Sequence, residues 1–270
     1  MQGEEMIEEY LREYDGEDRV VRSTELIKLL KETRANAFRV SSGFKRMEEA
    51  VQGFEGGELI VISGPTKNGK TLLAQSLTVQ FAEQHKYPLW FTFEVTIPQF
   101  FARFPMIPRL TAPLKLYHHD IDWLENRIVE SYLKYGTQIV FIDHLHYLID
   151  MAQSKNLSVD IGAVIRRLKG IAVERDMVIF LLCHTTKGGP GKRCSYSSIR
   201  DSSFVAQESD CVIMVVRDPG YHENAAVATV EFHRRTGVME RKIALIKDGD
   251  LLREDGSRVP RMAESEKDDE

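Results

Sequence analysis

Between residues 58 and 216 the chain alternates two hydropathy patterns. Apolar runs, rich in β-branched and aromatic residues, occupy 58–63, 88–93, 138–142, 177–183 and 211–216. Between most of them lie helix-like stretches, including 70–85, 121–135 and 158–175. A run without polar alternation predicts a strand covered on both faces, and its alternation with helices predicts a mostly parallel sheet between helical layers. After residue 224 the pattern changes. Runs 226–232 and 241–246 flank Thr236-Gly237 and predict an antiparallel hairpin.

The stretch ahead of the sheet reads differently. Residues 22–34 set Leu26, Ile27, Leu29 and Leu30 in one apolar stripe, with Ser23 or Thr24 as the expected cap. A helix this short is marginal alone and needs a docking surface, on its own domain or on a neighbouring subunit. Residues 1–20 are dominated by Glu and Asp, and Ala263–Glu270 is an acidic tail expected to be disordered. The expected division is an acidic N-terminal segment with a linker helix over 1–38, an α/β domain over 39–255, and a tail over 256–270.

With 270 residues and 43% hydrophobic content, one α/β domain of moderate size uses most of the chain. The formal charge of −5 gives no global basic signature, so any nucleic-acid contact must come from local loops. Cys183, Cys194 and Cys211 lack metal-ligand spacing, and Cys183 and Cys211 lie in apolar runs as small buried hydrophobes. The odd count fits a reducing compartment. No apolar stretch approaches the roughly 20 residues that span a bilayer, and Met1–Glu9 is acidic, without a cationic targeting region.

Candidate chemistry begins at Gly64-Pro65-Thr66-Lys67-Asn68-Gly69-Lys70-Thr71, which fits G-x-x-x-x-G-K-[ST] at every fixed position. An apolar strand precedes it and a helix follows, which is the context a phosphate loop needs. Backbone N–H groups and the helix N-terminus would cradle a nucleotide polyphosphate. Lys70 would reach the β- and γ-phosphates of ATP or another NTP, and Thr71 would bind Mg²⁺. Asp143 ends the run Ile139–Ile142 and reads as the second Mg²⁺ carboxylate, although strands also end in Asp for turn reasons. Glu94 closes Trp90–Phe93 and suits activation of the attacking water; otherwise it is a solvated loop glutamate. His184 follows Val178–Cys183 at a third strand tip and suits sensing of the γ-phosphate. The next loop, Lys187-Gly188-Gly189-Pro190-Gly191-Lys192-Arg193, carries three cations on pliable backbone suited to phosphodiester contacts.

In this order the motifs resemble the RecA-like domain of DnaB-type hexameric replicative helicases, especially the helicase halves of phage primase-helicases and the mitochondrial Twinkle type. The resemblance covers about residues 40–250. It includes the lead-in Ser42-Gly43-Phe44-Lys45-Arg46-Met47, the phosphate loop, Glu94, Asp143-His144 and Cys183-His184. It implies a RecA-like P-loop core that hydrolyses ATP with Mg²⁺ at subunit interfaces of a homo-oligomer, a hexameric ring, moving on single-stranded DNA. Ser198–Asp210 resembles the DNA-facing motif, which puts Arg200 and Gln207 near DNA. Lys155, Lys187, Lys192 and Arg193 are the candidates for backbone contacts. Arg217 matches a nucleotide-touching arginine. Arg234 matches the arginine that reaches into the neighbour's site, with Arg235 in reserve.

Two positions depart from the family pattern: Phe232 stands where many members carry lysine, and Ser203 where they carry glycine. No primase domain or large helical domain precedes the motor, so a bare motor is expected, with primase or loader proteins as possible partners. The implied location is cytoplasmic, in a bacterium or phage-infected cell, with a mitochondrial matrix as the other option. A recombination ATPase of the RecA class and a nucleotide-gated ring that is not a motor are the two rival readings.

Overall fold

The computed structural model describes residues 2–16, 18–116, 120–148, 157–185, 199 and 202–258. The chain divides into two compact units, Met1–Ala37 and Phe38–Glu270. The first holds α1 (Gln2–Arg12) and α2 (Ser23–Asn36). The expected cap from Ser23 or Thr24 is not made. Both residues lie inside the helix, and Arg22 takes the cap position with no capping hydrogen bond from its side chain. Leu26, Ile27 and Leu30 are exposed, as are Met6, Ile7, Tyr10 and Leu11 of α1.

The second unit opens with β1 (Arg39–Val40), α3 (Lys45–Val51) and β2 (Phe54–Glu55), β1 and β2 pairing as a small antiparallel ribbon. The main body follows as β3 (Leu59–Ser63), α4 (Lys70–Glu83), β4 (Leu89–Thr92), α5 (Ile97–Phe101), α6 (Ile121–Tyr135) and β5 (Ile139–Asp143). Then come α7 (Leu157–Glu174), β6 (Val178–Leu182), α8 (Ser202–Glu208), β7 (Cys211–Arg217), β8 (Ala225–His233), β9 (Val238–Asp248) and β10 (Leu251–Glu254). These eight strands form one sheet in the order β10-β9-β8-β7-β3-β6-β5-β4. The five strands from β7 to β4 run parallel, and β8, β9 and β10 add antiparallel pairings at one side. The fold expected from the hydropathy pattern is therefore present, with the hairpin extended by β10.

The parallel strands are apolar except at their ends because both faces are buried. Successive residues point to opposite faces, so Ile60 and Ile62 enter one core cluster while Leu59 and Val61 enter the other. On the first face Trp90, Phe141 and Phe180 stack at successive centroid distances of 4.6 Å. Trp90 Nε1 donates to Thr78 Oγ1 at 2.9 Å, which satisfies its one polar atom in the core.

Candidate functional site

Strand register decides which residues meet at the C-terminal edge of the parallel strands. Asp143 is paired across to Thr92 of β4 on one side and Leu182 of β6 on the other. Glu94 and His184 each lie two residues beyond those partners, so three strand ends deliver three titratable groups to one edge of the sheet. Glu94 falls just past the end of β4 rather than within it, on exposed backbone lining the cleft.

Between β3 and α4 the phosphate loop folds as its sequence requires. Gly64 has φ +145°, and a Cβ there would stand 2.2 Å from the Val215 carbonyl oxygen, so the loop lies flush on β7 only as glycine. Gly69, at φ 97°, takes the cap position of α4 in a left-handed conformation. Lys70 Nζ donates back to the carbonyls of Gly64 at 2.9 Å and Pro65 at 3.0 Å. The ammonium is thus held at the loop's centre, where a phosphate would lie. Asn68 Oδ1 accepts the Arg217 backbone N–H at 2.8 Å, tying the loop tip to the end of β7. Ser63 Oγ donates to the Cys183 carbonyl at 3.1 Å and fastens the loop base to β6.

Thr71 Oγ1 donates to Asp143 Oδ2 at 2.9 Å. A hydroxyl and a carboxylate oxygen in contact form a hard-ligand pair that suits Mg²⁺ in company with phosphate oxygens and water. Burial pushes the Asp143 carboxyl up to about 6; the Thr71 bond, Lys70 and Arg103 pull downward, while Glu94 adds to the rise. A carboxylate this costly to ionise gains most from an arriving cation. His184 is shifted down, first by burial and then by Lys70, with Glu94 opposing.

These groups line a cleft of about 680 Å³ together with Thr66, Lys67, Arg103 and Arg217. The sequence reading missed Arg103, which follows α5. Its signal was nonetheless present: Thr96-Ile97-Pro98-Gln99 forms a capping box that starts this short helix. His144 lies beside His184, with ring centroids 4.4 Å apart.

Other candidates lie elsewhere. Arg234 sits in the β8–β9 turn at the opposite edge of the sheet, donating to the Gln207 carbonyl, so it cannot serve its own phosphate loop. Gln207, exposed on α8, belongs to that same edge. Arg235 departs from its expected nucleotide role: its guanidinium bonds Glu58 Oε1 at 2.7 Å and the carbonyls of Gly53 at 2.6 Å and Val51 at 3.0 Å. Its donors are engaged inside its own subunit, which leaves Arg234 the better trans candidate. Lys155, Lys187, Lys192, Arg193 and Arg200 lie outside the described residues.

Comparison with known proteins narrows the reading. The family model described as DnaB-like helicase C terminal domain matches residues 39–109 and 114–249. A probable replicative DNA helicase of Trieres chinensis is 25% identical over 221 residues, covering 68% of this chain and 49% of the relative. The chain spans about half the length of the curated relatives it matches. Among solved structures, one described as an ATPase domain superposes with a TM-score of 0.72 at 17% identity, covering 86% of this chain and 96% of that one. A DnaB-like replicative helicase, whose interactions with primase were solved alongside it, gives 0.71 at 16% identity over 93% of this chain and 71% of that one. Likeness at this identity establishes the fold.

Proposed function

This chain belongs to the DnaB-like helicase C-terminal domain family, and from that premise we infer that it is the ATP-hydrolysing motor of a replicative DNA helicase. The observation that carries the reading is the contact of Thr71 with Asp143 at 2.9 Å inside a cleft that Glu94 and His184 also line. Each part has a role. The loop amides and Lys70 bind the β- and γ-phosphates, and Thr71 and Asp143 hold Mg²⁺, which supplies charge neutralisation when bound. Glu94 orients the attacking water and takes its proton. His184 meets the γ-phosphate, and Arg217 reaches the nucleotide from the end of β7.

Arg234 supports assembly as a homo-oligomer, in the reading a hexameric ring. At the edge remote from its own loop, its natural target is the site of an adjoining copy. The exposed stripe of α2 is assigned to that same neighbour. Single-stranded DNA is the track, contacted by Lys155, Lys187, Lys192, Arg193, Arg200 and Gln207. A primase is the candidate partner, by analogy with the relative solved with its primase interactions. Among the described residues no helix is long and apolar enough to cross a membrane.

The test is ATPase rate with and without single-stranded DNA at low salt. Stimulation is expected, and a rate indifferent to DNA at high protein concentration sinks the motor reading. Arg234→Ala should assemble normally yet lose turnover by about 10³-fold or more; full turnover would transfer the trans role elsewhere.

A further inference from the structure

Beside the oxygen-ligand pair of Thr71 and Asp143, the same cleft wall carries a group of different chemistry. One ligand atom each from Glu94, His144 and His184 all lie within 4.8 Å of one another. The two imidazoles, on the residues that follow β5 and β6, meet edge to face at an interplanar angle of 73°. His184 Nδ1 is buried and finds no hydrogen-bond partner among the described residues, a costly condition that a ligand would relieve. Glu94 is exposed and can swing inward.

We propose that Glu94, His144 and His184 form a second cation site, selective for a borderline transition ion such as Zn²⁺, Co²⁺ or Ni²⁺ and separate from the Mg²⁺ position. Two imidazoles and one carboxylate suit those ions, whereas Mg²⁺ demands oxygen ligands. Zinc–ligand bonds of about 2.0–2.1 Å call for ligand atoms about 3.3–3.5 Å apart, a contraction from within 4.8 Å that needs the Glu94 side chain to swing in and the two rings to turn. Three protein ligands leave a position open to water or a phosphate oxygen.

Occupancy would withdraw Glu94 from the attacking water, so the ion arrests turnover without competing for Mg²⁺. That consequence rests on the role given to Glu94 above; ion binding itself does not.

The experiment uses the full chain, free of nucleotide, in excess Mg²⁺, titrated with Co²⁺ and followed by its visible d–d absorption. One Co²⁺ per chain is expected, displaced by Zn²⁺. Loss of groups that merely support a ligand weakens metal sites by about 10–100-fold, so His144→Ala and Glu94→Gln should each cost at least that. Circular dichroism and Mg²⁺-dependent binding of a fluorescent ATP analogue report folding of each variant, and Glu94→Gln serves should His144→Ala misfold. Absent d–d bands, or bands of equal affinity in both folded variants, overturn the site. A wild-type ATPase that Zn²⁺ arrests but DNA leaves unmoved would keep the ion site and discard only the motor.

Discussion

Two buried carboxylates at opposite edges of one sheet have opposite fates. Asp143, at the end of β5, is pushed up to about 6, chiefly by burial, and its Oδ2 accepts a hydrogen bond from Thr71. Glu58, just ahead of β3, is nearly as buried but is saturated with donors. It accepts from Arg235 Nε at 2.7 Å and from the Glu55 amide at 2.9 Å, and faces His233 Nε2 at 3.2 Å. Burial pushes Glu58 upward, but the bonds from His233, Arg235 and Glu55 together with the Arg235 charge hold it below the usual carboxylate range. The C-terminal edge is left under-neutralised, ready for a ligand, and the N-terminal edge is neutralised to hold the fold. A buried acid therefore reads as functional or structural by what already surrounds it.

The comparison is sharpened most by Glu94→Gln, which should cut turnover by roughly 10²–10⁴-fold while leaving the unfolding midpoint and ATP affinity in place. A shift in stability instead would put Glu94 in the structural class. Next is Glu58→Ala, which strands Arg235 and buried His233; loss of one partner of a buried pair costs about 3–5 kcal/mol. Urea unfolding reads this, and ATPase per folded chain should survive. Smallest is Asp143→Asn. For a shift from 3.8 to about 6, the ionised form costs the fold on the order of 2–3 kcal/mol. That cost is full above about 6 and gone below 3.8, so the variant should be the more stable protein at pH 8, without metal or nucleotide, and lose the advantage by pH 4. Glu58 contributes with the opposite sign: its stabilisation is present above the ordinary value of 4.5 and fades as pH falls through its lower folded value. Equal midpoints for wild type and Asp143→Asn at pH 8 would remove the contrast.

Much of the phosphate edge was legible because loop, strand ends and helix start are local features. The motif at Gly64–Thr71 and the acids after apolar runs need no tertiary knowledge. The far edge was not legible in that way. The arrangement of Arg235 depends on Glu58 lying beside a turn 177 residues away, a contact that spacing cannot announce. α2 was legible as a helix but not in its capping, since Ser23 and Thr24 sit just inside the start rather than before it. Short β1, β2 and β10 carried too few residues for a periodic signal, and register alone brought His144 to His184.

The bond from the Arg217 amide to Asn68 makes β7 a connecting rod. One end is clamped to the phosphate loop; the other, six residues and about 20 Å away, is stitched to His233 next to the turn that bears Arg234. A strand paired on both sides is stiff along its length, so a displacement at the loop would be carried toward the far end. In the assembly proposed above, emptying one pocket would then pull on the surface offered to the next copy in line.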